Sequence, residues 1–261
     1  MIRSRAPVRI DFAGGWTDVA LFAASEVGSV VNASIQIYSF AMLTRKHTVL
    51  GVDSKNIDKE ILDQFPLAEK VTELLGLTLL PMDHYEADDA IASVCELFKN
   101  ENLEIIIGSL DKDLMQCLDV KNISMYSTRY KSFTTGDDVY KKFGVHPQQI
   151  PDFLALVGDS SDGIPGMNGI GEKTASVLLE EYENIENIYQ NLNIWKNNIR
   201  GGERHANTIY ENYELLKLFK SLTTLRLDVK VPKKIEKYSL SKLSSDELKK
   251  FSAKYQLNIN F

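Results

Sequence analysis

Apolar positions along the chain change their period several times, and each change predicts an element. Residues 8–12, 29–33 and 34–38 alternate around the turn Ala13-Gly14-Gly15, the pattern of a β-hairpin or the start of a meander. From residue 48 the character shifts. A short apolar run at 48–52 reads as a buried strand ending in Asp53. Ile57, Ile61, Phe65, Leu67, Ala68, Val71, Leu74 and Leu75 then recur at helical spacing and predict an amphipathic helix over 57–75, closed by Gly76. A strand at 77–80 stops before Pro81. Helical spacing returns at 86–99 through Ala90, Ile91, Val94, Leu97 and Phe98, and a strand follows at 103–107. Strands alternating with helices predict an α/β layer built on a parallel sheet.

Beyond residue 120 the pattern is mainly helical. Short strands are expected at 123–126 and 132–134, then helices at 137–143 (ending at Gly144), 147–157 and 172–182. A long amphipathic helix is expected over 207–225, and a last one over 246–255, with Ser244 and Ser245 as N-caps. This divides the chain into residues 1–46, an α/β core at 47–150 and a helical region at 151–261. No internal repeat or low-complexity tract interrupts it.

At 44% hydrophobic residues the 261-residue chain can bury a sizeable core. Cys95 and Cys117 sit in apolar stretches without metal or redox spacing, which predicts buried thiols in a reducing compartment. No apolar run is long enough to span a bilayer and the first residues lack a signal-peptide core, so the expectation is a cytoplasmic protein without a membrane partner; the oligomeric state is left open, with a monomer favoured. The net charge of −6 argues against nucleic acid only if the acids are spread evenly. They are not.

Three acidic clusters occupy comparable places. Glu86, Asp88 and Asp89 follow the strand at 77–80, Asp111 and Asp113 follow the strand at 103–107, and Asp159 and Asp162 follow the helix at 147–157. Loops after parallel strands share one sheet edge, where ligands bind. Carboxylates about 4 Å apart repel by roughly 4 kcal/mol at an effective dielectric near 20, so a cluster of this kind needs cations. Oxygen-only donors favour two Mg²⁺ or Mn²⁺ ions, an arrangement suited to in-line attack on a phosphodiester. With these acids neutralised, the rest of the chain is close to neutral and compatible with DNA. The spacing of Asp159 and Asp162, one helical turn apart, lets both reach one ion from the same face.

Directly after them, Gly166, Gly169 and Gly171 form a glycine-rich turn entering a helix that carries Lys173 and Thr174, a setting in which backbone amides can approach a phosphate. Arg200 and Arg204 lie in a basic loop, for which phosphate contact and plain solvation are equal readings. His47, His84, His146 and His205 share no metal spacing, and Trp195 reads as core.

Two resemblances are carried by these residues. The run Arg3-Ser4-Arg5-Ala6-Pro7-Val8-Arg9-Ile10-Asp11-Phe12-Ala13-Gly14-Gly15-Trp16-Thr17-Asp18 resembles the opening of GHMP-type sugar kinases, but the phosphate-binding loop of that family occurs nowhere in the chain. From about Lys55 onward, Y-E-A-D-D-A-I (85–91), S-L-D-K-D-L (109–114), F-G-V-H-P (143–147) and the stretch 152–175 resemble the 5′ to 3′ exonuclease domain of bacterial DNA polymerase I, within the flap endonuclease superfamily. The resemblance implies a PIN-like or resolvase-like nuclease core and a helix-two-turn-helix that grips duplex DNA, often with a bound K⁺. It assigns Glu86, Asp88 and Asp89 to a first metal ion and Asp111, Asp113, Asp159 and Asp162 to a second. Gly163 stands where that family usually has Asn.

The family's first strand has no good counterpart here, although Ile10-Asp11 ends a strand of the first segment and is a remote candidate beside the metals, and almost all of its basic arch is missing; Asp53, in Val52-Asp53-Ser54-Lys55, is the candidate remnant of a further metal ligand. Weaker binding of metals and of 5′ ends is therefore expected. The sequence leaves three readings: a divalent-metal-dependent 5′ nuclease acting on duplex DNA with a 5′ end or flap, a DNA-binding module that no longer cuts, and, least favoured, a sugar kinase.

Overall fold

The computed structural model of the chain describes residues 40–41, 65–80, 85–127, 129–239, 241 and 244–255. The hairpin expected near the N-terminus, the strand at 48–52, Asp11, Asp53, His47 and His84 lie outside the described residues. Contacts divide the chain into two compact units, one drawn from Met1–Leu97 and Leu227–Phe261, the other from Phe98–Arg226.

In the first unit, β1 (Phe40–Ala41) pairs in parallel with β2 (Thr78–Leu79). Helix α1 (Phe65–Leu74) precedes β2 and stops at Gly76, whose φ of +75° is the left-handed conformation expected of a helix-ending glycine. A Cβ on Gly76 would stand 2.4 Å from the carbonyl oxygen of Ser241, and the Ser241 amide donates back to the Gly76 carbonyl at 2.8 Å. Only glycine permits this approach. Helix α2 (Ala87–Phe98) buries Ala90, Ile91, Val94, Cys95 and Phe98, and its buried Ser93 hydroxyl accepts the Val229 amide.

In the second unit, β3 (Ile105–Ile107) runs parallel to β4 (Ile123–Ser127), and β4 pairs antiparallel with β5 (Ser132–Thr134). This sheet is therefore mixed rather than wholly parallel. The connection between β4 and β5 is far too short for a crossover, so those two strands can only form a hairpin. A 3₁₀ helix over Asp113–Asp119, absent from the periodicity, buries Leu114, Met115, Cys117 and Leu118 after β3. Both cysteines are buried and free, as expected.

Helix α3 (Gly136–Phe143) has a capping box between Thr135 and Asp138 and ends at Gly144 with φ +70°. The expected helix at 147–157 is a 3₁₀ turn, Pro147–Gln149, followed by α4 (Ile150–Val157). After it come α5 (Glu172–Tyr182), α6 (Ile185–Gln190), α7 (Leu192–Trp195), α8 (Gly202–Glu211) and α9 (Tyr213–Thr223). Trp195 is fully buried and donates its indole N–H to the Ile188 carbonyl. In the first unit, α10 (Ser245–Tyr255) closes the described chain.

The long helix expected over 207–225 is two helices, broken at Asn212. Its side-chain amide takes the Thr208 carbonyl at 2.9 Å, and its own carbonyl accepts the Leu216 amide. Asn212 thus ends one helix and starts the next, a competition with the helix backbone that asparagine favours.

Helix α9 packs on α4, and the contact is polar as well as apolar. The Thr223 hydroxyl donates to the Pro151 carbonyl at 2.9 Å, and Lys220 Nζ bridges Asp152 (2.8 Å) and Glu186 (2.7 Å). Asp152 is 5% exposed, and burial pushes its carboxyl above the ordinary value although Lys220 and the Ile185 amide pull it down. Replacing Lys220 by Met leaves that carboxylate buried beside Glu186 without its cation, so unfolding free energy should fall by about 3 kcal/mol near neutral pH. A carboxyl with a raised folded pKa costs stability as pH rises through that pKa, so the deficit should shrink on acidification towards pH 4 in urea titrations.

Candidate functional site: two carboxylate groups and a glycine turn

At the start of α2, Glu86 occupies the N-cap position and its backbone N–H donates to the Asp89 carboxylate at 3.4 Å. Asp88 and Asp89 lie in the first turn, where the helix dipole favours negative charge. Capping accounts for Asp89. It does not account for Asp88, only 4% exposed, because a solvated carboxylate would serve the dipole as well.

The second group is organised by backbone turns. The Ser109 hydroxyl accepts the Asp111 amide at 3.0 Å, and Asp111 Oδ1 accepts the Asp113 amide at 3.1 Å, so the chain leaving β3 folds into the 3₁₀ helix through two consecutive side-chain turns. Gln116 holds this helix in place. Its Nε2 donates to the carbonyls of Asp113 and Thr223, and its Oε1 accepts the Leu225 amide. Gln116 carried no signal in the sequence, since its role depends on residues more than a hundred positions away.

Asp159 sits at the other side of this group. The amide and carbonyl of Asp159 and Ile164 exchange two hydrogen bonds, each 2.8 Å, which closes residues 160–163 into a loop. Asp159 and Asp162 are consequently not on one face of a helix as their spacing suggested: Asp159 is 3% exposed at the base, and Asp162 is exposed at the tip. Asp159 Oδ1 accepts the amide and hydroxyl of Ser161, and Oδ2 takes Lys112 Nζ at 2.9 Å. Burial alone would raise the Asp159 carboxyl, but the bonds from Ser161 and Lys112 outweigh it and hold it below the ordinary value. Asp111 moves the other way, pushed up chiefly by burial and further by the negative charge of Asp159.

The oxygen donors Asp111 and Asp159, close enough to feel each other's charge and with an ammonium already seated on one of them, suit a hard divalent cation. No three Asp, Glu, His or Cys among the described residues stand together as a metal shell.

The glycines divide by role. A Cβ on Gly166 would lie 2.4–2.5 Å from backbone atoms of Val157 and Gly158, so this glycine (φ +69°) serves packing inside the chain rather than approach by a ligand. Gly171, the N-cap residue of α5, has nothing within 4 Å of its Cβ position and leaves the helix entrance open. Gly169 (φ +84°) faces Arg204, whose guanidinium Nη2 is 3.7 Å from that glycine's Cβ position, with His205 at 3.9 Å. Arg204, expected in a loop, stands instead in the first turn of α8, and that turn neighbours the glycine turn. Lys173, Arg200 and Arg204 are exposed and Thr174 is half-buried. Periodicity could not have joined Gly169 to Arg204, and His205, packed between Gly169 and Gly201, carried no signal.

Two family descriptions match in tandem: "5'-3' exonuclease, N-terminal resolvase-like domain" over residues 51–144 and "5'-3' exonuclease, C-terminal SAM fold" over residues 145–246. The chain is 40% identical over 160 residues to a 5'-3' exonuclease of Aquifex aeolicus, covering 61% of this chain and 54% of that protein. It is 38% identical over 179 residues to DNA polymerase I of Caldicellulosiruptor bescii, covering 66% of this chain and 20% of that one. The chain thus spans about half or less of the length of these two relatives. Its fold is similar to T5 5'-exonuclease with bound zinc ions (TM-score 0.53, 20% identity, 76% of this chain and 67% of that). It is also similar to the catalytic core of Rad2 in complex with DNA substrate (TM-score 0.52, 15% identity, 78% and 66%).

The two aspartates carry opposite stability signs. Stability contributed by Asp159 is present above the ordinary carboxyl pKa and is lost as pH falls through its lowered value; Asp111 instead costs stability as pH rises through its raised value. In EDTA at neutral pH, Asp159→Ala should lower unfolding free energy by about 1.5–3 kcal/mol. Asp111→Asn should raise it by about 0.5–1 kcal/mol. Urea titrations of both variants check the signs.

Proposed function

The chain belongs to the 5′-3′ exonuclease family, and we propose that it is a divalent-metal-dependent 5′ to 3′ exonuclease or flap-type nuclease acting on duplex DNA with a 5′ end or flap. The observation that carries this reading is the short physical link between carboxylate and glycine turn. The same backbone bridge that seats Asp159 leads within a few residues into the turn that meets Arg204.

Glu86, Asp88 and Asp89 would hold one ion, with Asp53 as a further donor, and Asp111, Asp113, Asp159 and Asp162 the other; Mg²⁺ or Mn²⁺ suits their oxygen donors. Bound there, the ions supply an activated water and stabilisation of the leaving oxygen. The chain's own residues do the rest. Ser161 fixes the orientation of Asp159, the Ser109 and Asp111 turns fix Asp113, and Gln116 anchors the 3₁₀ helix behind them. The open entrance of α5 at Gly171, with Lys173, Thr174, Arg200 and Arg204, would take the duplex backbone as a helix-two-turn-helix, which also offers a K⁺ position in its glycine turn. Lacking the family's arch, the chain is expected to hold 5′ ends weakly and turn over slowly.

A DNA-binding module that does not cut is the second reading, favoured by the lack of a preformed metal shell among the described residues. A labelled 5′-flap duplex separates the two. Cleavage in Mg²⁺ together with binding in Ca²⁺ is expected, and binding without cleavage selects the module. Asp113→Ala and Asp159→Ala should each reduce cleavage by a factor of about 10³ or more while sparing binding in Ca²⁺. Lys173→Ala and Arg204→Ala should each weaken duplex binding and lower the slope of log K against log[salt] by about one.

A further inference from the structure

We propose that Lys112 is the built-in counter-ion of the Asp111–Asp159 metal subsite: its ammonium pairs with Asp159 when no metal is bound, and a divalent ion must displace it. This rests on the metal-dependent reading above.

The geometry allots every oxygen of Asp159. Oδ1 is committed to the Ser161 amide and hydroxyl, so releasing it costs two hydrogen bonds inside the loop that the Asp159 backbone closes. Oδ2 is held by Lys112 Nζ at 2.9 Å and by nothing that belongs to the backbone. A metal ion sits about 2.0–2.6 Å from a carboxylate oxygen, so an ion on Oδ2 and an ammonium in its present place would compete for one oxygen and repel each other.

Lys112 is suited to give way. Its side chain is 44% exposed against 3% for Asp159, and it has a long flexible stem whose charge can move into water. It also lies between Asp111 and Asp113, so its charge screens Asp111 from Asp159. Lys112 is thus a positioning residue that sets how tightly the subsite binds metal.

The test uses the full chain and Mn²⁺ alone, with free Mn²⁺ counted by its six-line electron paramagnetic resonance signal. Lys112→Met and Lys112→Gln should bind Mn²⁺ at least about fivefold more tightly than the unaltered protein. In EDTA both should melt at lower temperature, and saturating Mn²⁺ should close that gap, since a ligand bound more tightly stabilises more. Lys112→Arg keeps the charge and can fork onto the carboxylate, so it should bind Mn²⁺ no more tightly than the unaltered protein, and it serves if the neutral variants do not fold. Equal or weaker Mn²⁺ binding by the neutral variants, or tighter binding by Lys112→Arg, overturns the counter-ion role while leaving the nuclease reading intact. No Mn²⁺ binding at millimolar concentration by any form overturns both.

Discussion

Two hydrogen bonds between the backbones of Asp159 and Ile164 set the course of the chain through the second unit's acidic site. They turn an exposed acidic stretch into a closed loop, put Asp159 at its base, and send the chain back past the end of α4. There Gly158 and Gly166 lie so close that a Cβ on either would strike the other segment's backbone. The Met167 amide then returns to the Leu156 carbonyl at 2.8 Å, and the glycine turn starts from that anchor. The seat of the carboxylate and the origin of the turn are one piece of backbone, supported beneath by the buried length of α4.

Much of this was legible in the sequence, for reasons that are physical. The helix ends at Gly76 and Gly144, the buried cysteines and the buried apolar face of α2 depend on residues near one another in the chain, and periodicity reports such arrangements well. The misreadings arise where a side chain competes with the backbone or where partners are distant. Asn212 divides a helix whose apolar period runs through it unbroken, and its side-chain amide joins its own backbone N–H in donating to the Thr208 carbonyl. The 3₁₀ helix after Asp111 has no period-3.6 signature, and its own Gln116 ties it to Thr223 and Leu225, more than a hundred positions away. The spacing of Asp159 and Asp162 suggested a helix, and only the pairing with Ile164 shows a loop.

The site residues show the same division. That carboxylates and glycines matter here was readable from residue type and spacing, whereas what each one does was not. Gly166 proves to be a packing glycine and Gly171 an open one, although the two look alike in the sequence. Lys112, lying inside an acidic motif, is the residue whose position gives Asp159 its low pKa together with Ser161. A lysine between two aspartates invites reading as a solvated charge, and its target, 47 positions on, is invisible to any local pattern.

The tip of the acidic loop follows a different rule from its base. Gly163 has φ +70°, and its Cβ position meets nothing within 4 Å. The left-handed conformation is what glycine and asparagine tolerate best, and the surrounding space leaves an asparagine amide free to project outward beside Asp162. The loop therefore separates a crowded base from an open tip. Its base admits almost no substitution, while its tip can exchange a bare backbone for a hydrogen-bonding amide without disturbing the fold that holds Asp159.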